Sequence, residues 1–159
     1  MMIEYEPIGV IHSPFELTEG MPIQPAGAEG AIGTVEVFDK FAQGLKDLDG
    51  FSHVILVYHF HRSSGFSLLV TPFMDTAQRG VFATRAPRRP NPIGLSVVGL
   101  IKIEGNVLHV RNIDILDGTP LLDIKPYVPD FDYHRVTRFG WLEQVQGRVR
   151  KQKSDNRFK

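Results

Sequence analysis

Residues 52–61 read SHVILVYHFH. Nearly every position is apolar and the run is rich in β-branched and aromatic residues, as in a strand covered on both faces or closed into a barrel. Working outward, short β-branched runs ended by turn residues occupy 6–15 (EPIGVIHSPF) and 31–38 (AIGTVEVF). Residues 66–72 and 81–84 have the look of further short strands. Residues 95–104 (LSVVGLIKIE) and 106–115 (NVLHVRNIDI) flank Gly105, which predicts a hairpin turning around 104–106. Inside this body the helical candidate is 39–48, where Phe41, Leu45 and Leu48 recur at helical spacing; a weaker helical pattern covers 139–150. Fifteen glycines and eleven prolines place many turns between short strands. There is no internal repeat and no alternation of strand and helix. The expected fold is mainly β, a single closed or nearly closed barrel, because closure removes exposed strand edges.

Composition narrows the chemistry. The 159 residues suffice for one domain, and 42% hydrophobic with 23% charged is ordinary for a globular chain. The absence of cysteine excludes disulfide frameworks, thiolate nucleophiles and cysteine-ligated zinc. No apolar run approaches the roughly 18 residues of a membrane-spanning helix. The first residues carry acids and no basic stretch, unlike a signal peptide. A cytoplasmic, soluble protein with no membrane partner is expected.

The zero net charge conceals an asymmetry. Residues 135–159 hold eight Lys/Arg against Glu143 and Asp155, a net of +6, while 1–134 hold ten basic and sixteen acidic side chains, a net of −6. This divides the chain into a barrel domain, 1–134, and a basic C-terminal tail. The tail reads either as a nucleic-acid contact or as a solvated terminus. Residues 76–103 contain no acid at all, yet hold Arg79, Arg85, Arg88, Arg89 and Lys102. Uncompensated clustering of this kind costs self-repulsion that a bound anion relieves.

Three constellations are candidates for function. In RAPRRPNPIG (85–94), Pro87, Pro90 and Pro92 fix φ and remove backbone donors, so the loop is stiff and extended. Its arginines present forked donors suited to carboxylate or phosphate, and its carbonyls have few local partners. The alternative is a proline-rich connector with solvated arginines. In DILDGTPLLDIKPY (114–127), Asp114, Asp117 and Asp123 surround a glycine turn and suit a ribose diol, a metal, or simply the capping of their own turn. His53, His59 and His61 share one face of a regular strand, a weak zinc signal without a third ligand. Neither GxGxxG nor GxxxxGK[ST] is present, which closes the Rossmann and P-loop routes to a nucleotide, and without GxSxG there is no hydrolase elbow.

Taken in order, IGVIHSPF (8–15), MPIQP (21–25), GLKDLDGFSHVILVYHFH (44–61), RGVFATRAPRRPNPIGLS (79–96) and DGTPLLDIKPYVP (117–129) resemble the TrmO/TsaA-like family. The resemblance implies a β-barrel methyltransferase, distinct from Rossmann-type and knotted methyltransferases, working as a homodimer. It implies S-adenosylmethionine as cofactor and N6 of threonylcarbamoyladenosine, next to the anticodon of tRNA, as acceptor. Carried over residue by residue, it assigns cofactor contacts to Pro22, Ile23, Gln24, His61, Arg62, Arg85, Val97 and the stretch Asp114, Ile115, Leu116 and Asp117. Ile23 stands where bacterial members have arginine and Arg62 where they have glutamine, and bacterial members append a further domain. Within this scheme Arg85 holds the methionine carboxylate and Asp114 or Asp117 the ribose hydroxyls, while Arg79, Arg88 and Arg89 are left to meet RNA phosphates. By analogy with the Asn/Asp-Pro-Pro loop of unrelated adenine-N6 methyltransferases, Asn91 is the catalytic candidate, orienting the acceptor amine. The alternatives are a binding module for the cofactor or RNA without turnover, and a methyltransferase with another acceptor.

Overall fold

The structure, a computed structural model, describes residues 1–145, 153–155 and 157. Among the described residues eight strands form in chain order: β1 (Gly9–His12), β2 (Ile32–Val37), β3 (His53–His59), β4 (Leu69–Val70), β5 (Arg79–Gly80), β6 (Ile93–Glu104), β7 (Val107–Arg111) and β8 (Thr119–Pro126). Six of them close into an antiparallel barrel in the order β1-β2-β7-β6-β3-β8, with β8 pairing back onto β1. The expected architecture is therefore the one observed. In β3 the side chains of Val54, Leu56 and Tyr58 fill the interior, joined by Ile11, Val35, Val98, Leu108, Val110 and Leu121. The alternate residues of β3 are half-buried on the outside, which is why its sequence reads as continuous rather than alternating.

Closure depends on β6, which pairs with β3 over 93–99 and with β7 over 99–104. The register slips between Leu100 and Lys102, a bulge that lets one long strand serve two neighbours around a curved wall. The β6–β7 hairpin turns at Gly105, whose φ of 62° is open to glycine at little steric cost. Outside the barrel β4 and β5 form a two-stranded ribbon, backed by the small cluster of Val70, Val81 and Ala86.

Three local expectations are corrected. Residues 39–48 are two 3-10 segments, Asp39–Leu45 and Leu48–Gly50, rather than one α-helix. Gly44 weakens the first, and Asp47 breaks the run at φ 68°. Residues 81–84 form a 3-10 turn, Val81–Ala83, not a strand. Conversely, β8 lies where the sequence shows only a turn and aspartates. Pro120 and Pro126 argue locally against a strand, but both sit near its ends, where pairing is one-sided: Pro120 faces Val10 of β1 alone and Pro126 faces Val54 of β3 alone. Of the 139–150 pattern, a 3-10 turn over Gly140–Val145 is seen, and the rest lies outside the described residues. No helix among the described residues is long and apolar enough to cross a membrane.

Candidate functional site

At one end of the barrel β1 and β3 run out and β6 and β8 begin. Loops from each surround a cleft of about 760 Å³. Its walls are largely apolar and aromatic, with Phe60, Phe82, Ile93, Leu95 and Trp141 around Tyr58. Such a lining with a few placed polar groups is the usual form of a small-molecule site.

The polar groups are few. Asp114 is buried (7% exposed) and borders the cleft. Ser96 Oγ donates to its Oδ1 at 2.6 Å, and Tyr58 OH lies 2.9 Å from Ser96 Oγ. Burial raises the Asp114 carboxyl to about 6, against the pull of Ser96 and the Arg85 charge. Burial, and next the Asp114 charge, push the Tyr58 phenol well above its ordinary value, so it stays a donor. Arg85 Nη1 donates to Gln24 Oε1 at 3.0 Å, which ties the proline-rich loop to the 22–24 segment. Thr119 Oγ1 gives its proton to the Leu116 carbonyl at 2.6 Å, so the 3.3 Å contact with His61 has Nδ1–H as donor. Burial, then the Arg62 charge, lowers the His61 pKa. His61 is thus neutral near pH 7, with Nε2 as an acceptor.

The fold brings together Pro22, Ile23, Gln24, His61, Arg62, Arg85, Asp114, Ile115 and Leu116 from four separate stretches of chain, along with Arg89 of the same loop as Arg85. It does not bring in Val97, Asp117, Asn91, Arg79 or Arg88. Val97 lies on β6 opposite Ile55; the β6 residues of the same outward face that reach the cleft are Leu95 and Ile93, two and four positions nearer the open end. Asp117 caps the turn, accepting from the Ser13 N–H at 3.0 Å and lying 3.4 Å from His12 Nδ1. Asp123 pairs with Lys125 at 2.7 Å. Asn91 is exposed, two residues before Ile93 of the lining.

The arginines divide by what already holds them. Arg79 is paired with Asp75 at 2.6 Å and lies over the Trp141 ring at 5.7 Å. Arg89 Nη1 braces the loop from within, donating to the Thr84 and Ala86 carbonyls at 3.0 and 3.1 Å. Arg88 donates through Nε to the Ser64 carbonyl at 3.2 Å. The loop's carbonyls are likewise used within the fold: Pro92 O accepts from Phe60 N–H and Pro87 O from Arg89 N–H and Ser63 Oγ. Of the histidines, His53 meets Ser52 Oγ at 2.9 Å and the Tyr127 ring edge-on. Among the described residues no group of three His, Asp or Glu is disposed to hold a metal ion.

The C-terminal residues return to this end. Trp141 Nε1 donates to the Ala83 carbonyl at 2.9 Å. Ser154 exchanges backbone hydrogen bonds with Gly20 and Met21, and its hydroxyl bonds the Thr18 carbonyl. Arg157 Nη1 donates to the Pro72 carbonyl at 2.5 Å. Of the other basic residues of the tail, Arg135, Arg138 and Lys153 are among the described residues, and Arg148, Arg150, Lys151 and Lys159 lie outside them. Sequence reading missed Trp141, Ser154 and Tyr58 as site residues. Period-two alternation from Val97 was the one signal able to find Leu95; nothing local marks Trp141.

The chain is similar to known proteins over most of its length. A family model described as the tRNA-methyltransferase O N-terminal domain matches residues 10–133. The chain is 57% identical over 158 residues to a "probable S-adenosyl-L-methionine-binding protein" of Pyrococcus abyssi, covering 99% of this chain and 86% of the relative. It is 37% identical over 134 residues to the tRNA (adenine(37)-N6)-methyltransferase of Homo sapiens, covering 80% of this chain and 30% of the relative. The crystal structure of TrmO from Pseudomonas aeruginosa superposes with a TM-score of 0.75 at 43% identity, covering 89% of this chain and 63% of that one.

Proposed function

The chain belongs to the tRNA-methyltransferase O family, and from that premise we propose that it binds S-adenosylmethionine in the barrel-end cleft and methylates N6 of an adenine next to a tRNA anticodon. The observation that carries the reading is the convergence, in one apolar cleft, of a guanidinium and a buried carboxylate from segments about thirty residues apart, Arg85 and Asp114. These fit the cofactor's parts. Arg85, aimed by Gln24, matches the methionine carboxylate; Asp114 matches the ribose hydroxyls; the Phe82 and Trp141 walls match an adenine ring. Asp117, turned to Ser13 and His12, is left out of that set.

The chemistry supplied by the bound cofactor is an electrophilic methyl group on a sulfonium sulfur. The protein's part is to hold both reactants in line and exclude water. In the transfer the methyl–sulfur bond would break as the N–C bond forms, leaving the neutral thioether, and the surplus amine proton would be lost to solvent. Asn91, exposed and two residues before Ile93 of the lining, and Arg88 are assigned in this proposal to the acceptor rather than to the cofactor. Asn91→Ala should lower turnover while cofactor affinity stays at the wild-type value; unimpaired turnover removes Asn91 from the reaction.

The finer assignments, threonylcarbamoyladenosine as acceptor, a cytoplasmic homodimer and RNA contacts by the arginines, belong to the same proposal. Exposed Leu68 and Leu69, outside the cleft lining, offer apolar surface for a second copy. A second reading, cofactor binding without turnover, is favoured by the name borne by the Pyrococcus abyssi relative. Mass spectrometry of tRNA nucleosides from cells with and without this chain separates them. Loss of an N6-methylated adenosine with the chain supports the enzyme, and an unchanged nucleoside profile favours the binding module.

A further inference from the structure

The floor of the cleft carries a feature that no cofactor contact explains. Tyr58 on β3 and Ser96 on β6 are buried in the barrel core (6% and 1% exposed), and both lead to Asp114. An ionised carboxylate only accepts, so the single Ser96 proton goes to Asp114 Oδ1, and Tyr58 must be the donor to Ser96 Oγ. The direction of the whole chain is therefore settled. Room for it is built in: a Cβ on Gly94 would stand 2.2 Å from the Tyr58 ring, so the backbone there is bare where the ring must lie.

We propose that Tyr58 and Ser96 are positioning residues, a directed relay that anchors one oxygen of the Asp114 carboxylate to the barrel core and keeps the group ionised with its second oxygen turned to the cleft. The groups facing Asp114 are Tyr58 from β3, Ser96 from β6 and Arg85 from the proline-rich loop. Arg85 is already shared with Gln24, so the relay is the part of this set committed to Asp114. A buried carboxylate without it takes up a proton at higher pH and becomes a donor toward ligand hydroxyls it must accept from.

The test uses the full chain. In the ligand-free protein, the carboxyl carbon-13 resonance of Asp114 should titrate near pH 6. In Ser96→Ala the midpoint should rise by about one unit, the size expected for a lost hydrogen bond to a charged group. Tyr58→Phe, which keeps the ring over Gly94, should shift it less in the same direction, and Ser96→Thr should restore it. An unmoved midpoint in Ser96→Ala overturns the relay. If that variant does not fold, an unmoved midpoint in Tyr58→Phe does so. The role in binding rests on the cofactor reading above and is measured separately, as S-adenosylmethionine affinity by calorimetry from pH 5 to 8. The low-pH loss of affinity should move upward with the same shift. Failure of the wild type to bind S-adenosylmethionine refutes the cofactor reading while the titration still decides the relay.

Discussion

Replacing Asp114 by asparagine tests the burial of charge at the floor of the cleft. The carboxyl is raised from 3.8 to about 6 in the folded chain. A difference of roughly two units corresponds to about 3 kcal/mol at 1.36 kcal/mol per unit. Between these two values the folded chain binds more protons than the unfolded chain, so this group's contribution to stability falls as the pH rises through the window. Below pH 4 the cost is absent and above pH 6 it is fully present. Asparagine cannot ionise. The stability advantage of Asp114→Asn over wild type should therefore grow by about 3 kcal/mol from pH 4 to pH 7, whatever the amide's own hydrogen bonds contribute as a constant offset. At about 2–4 °C per kcal/mol for a chain of this size, the gap in Tm widens by about 6–12 °C. Paired thermal melts at half-unit pH steps read this directly. A gap that stays constant across the window refutes the reasoning. The stability is expected to come with weaker cofactor binding, since a site that keeps a charge buried trades stability for function.

Arg85→Ala should weaken S-adenosylmethionine binding by about 2–5 kcal/mol, at least roughly 30-fold in Kd; unchanged affinity by calorimetry removes Arg85 from the cofactor site. Gly94→Ala drives a Cβ to within 2.2 Å of the Tyr58 ring and 2.9 Å of Phe60, and should cost about 1–3 kcal/mol by overpacking. A melt indistinguishable from wild type would mean that the rings move freely. RNA affinity should fall linearly on a log–log plot against salt, and Arg88→Ala should make the slope shallower by about 0.7–0.9, one phosphate contact. A flat salt response in the wild type argues for a small-molecule acceptor.

How much of this was legible beforehand differs by element. The core strands were readable because the barrel interior demands β-branched and aromatic residues in short runs, and 52–61 shows them plainly. The 3-10 segments at 39–50 were misread as a helix because Phe41, Leu45 and Leu48 rest on the barrel at helical spacing without a continuous hydrogen-bonded helix beneath them. Strand β8 was hidden by its two prolines, tolerated only because each has a ladder neighbour on one side. Nine of the eleven residues assigned by the resemblance line the cleft, but Tyr58 and Trp141 of its lining and Ser96 behind it are not among them. Their positions follow from pairings and returns of chain that no local window contains.

By itself the sequence determined the architecture and the stiffness of the 85–94 loop, because side-chain periodicity and proline geometry act locally. Only the tertiary structure decided which charges matter. It set Asp114 in the cleft and Asp117 outside it, and committed Arg79 to Asp75 and Arg89 to loop carbonyls. It also aligned Tyr58 and Ser96 behind a carboxylate from a distant loop. Burial and hydrogen-bond direction are properties of the closed barrel, and they exist only once β3, β6 and β8 meet.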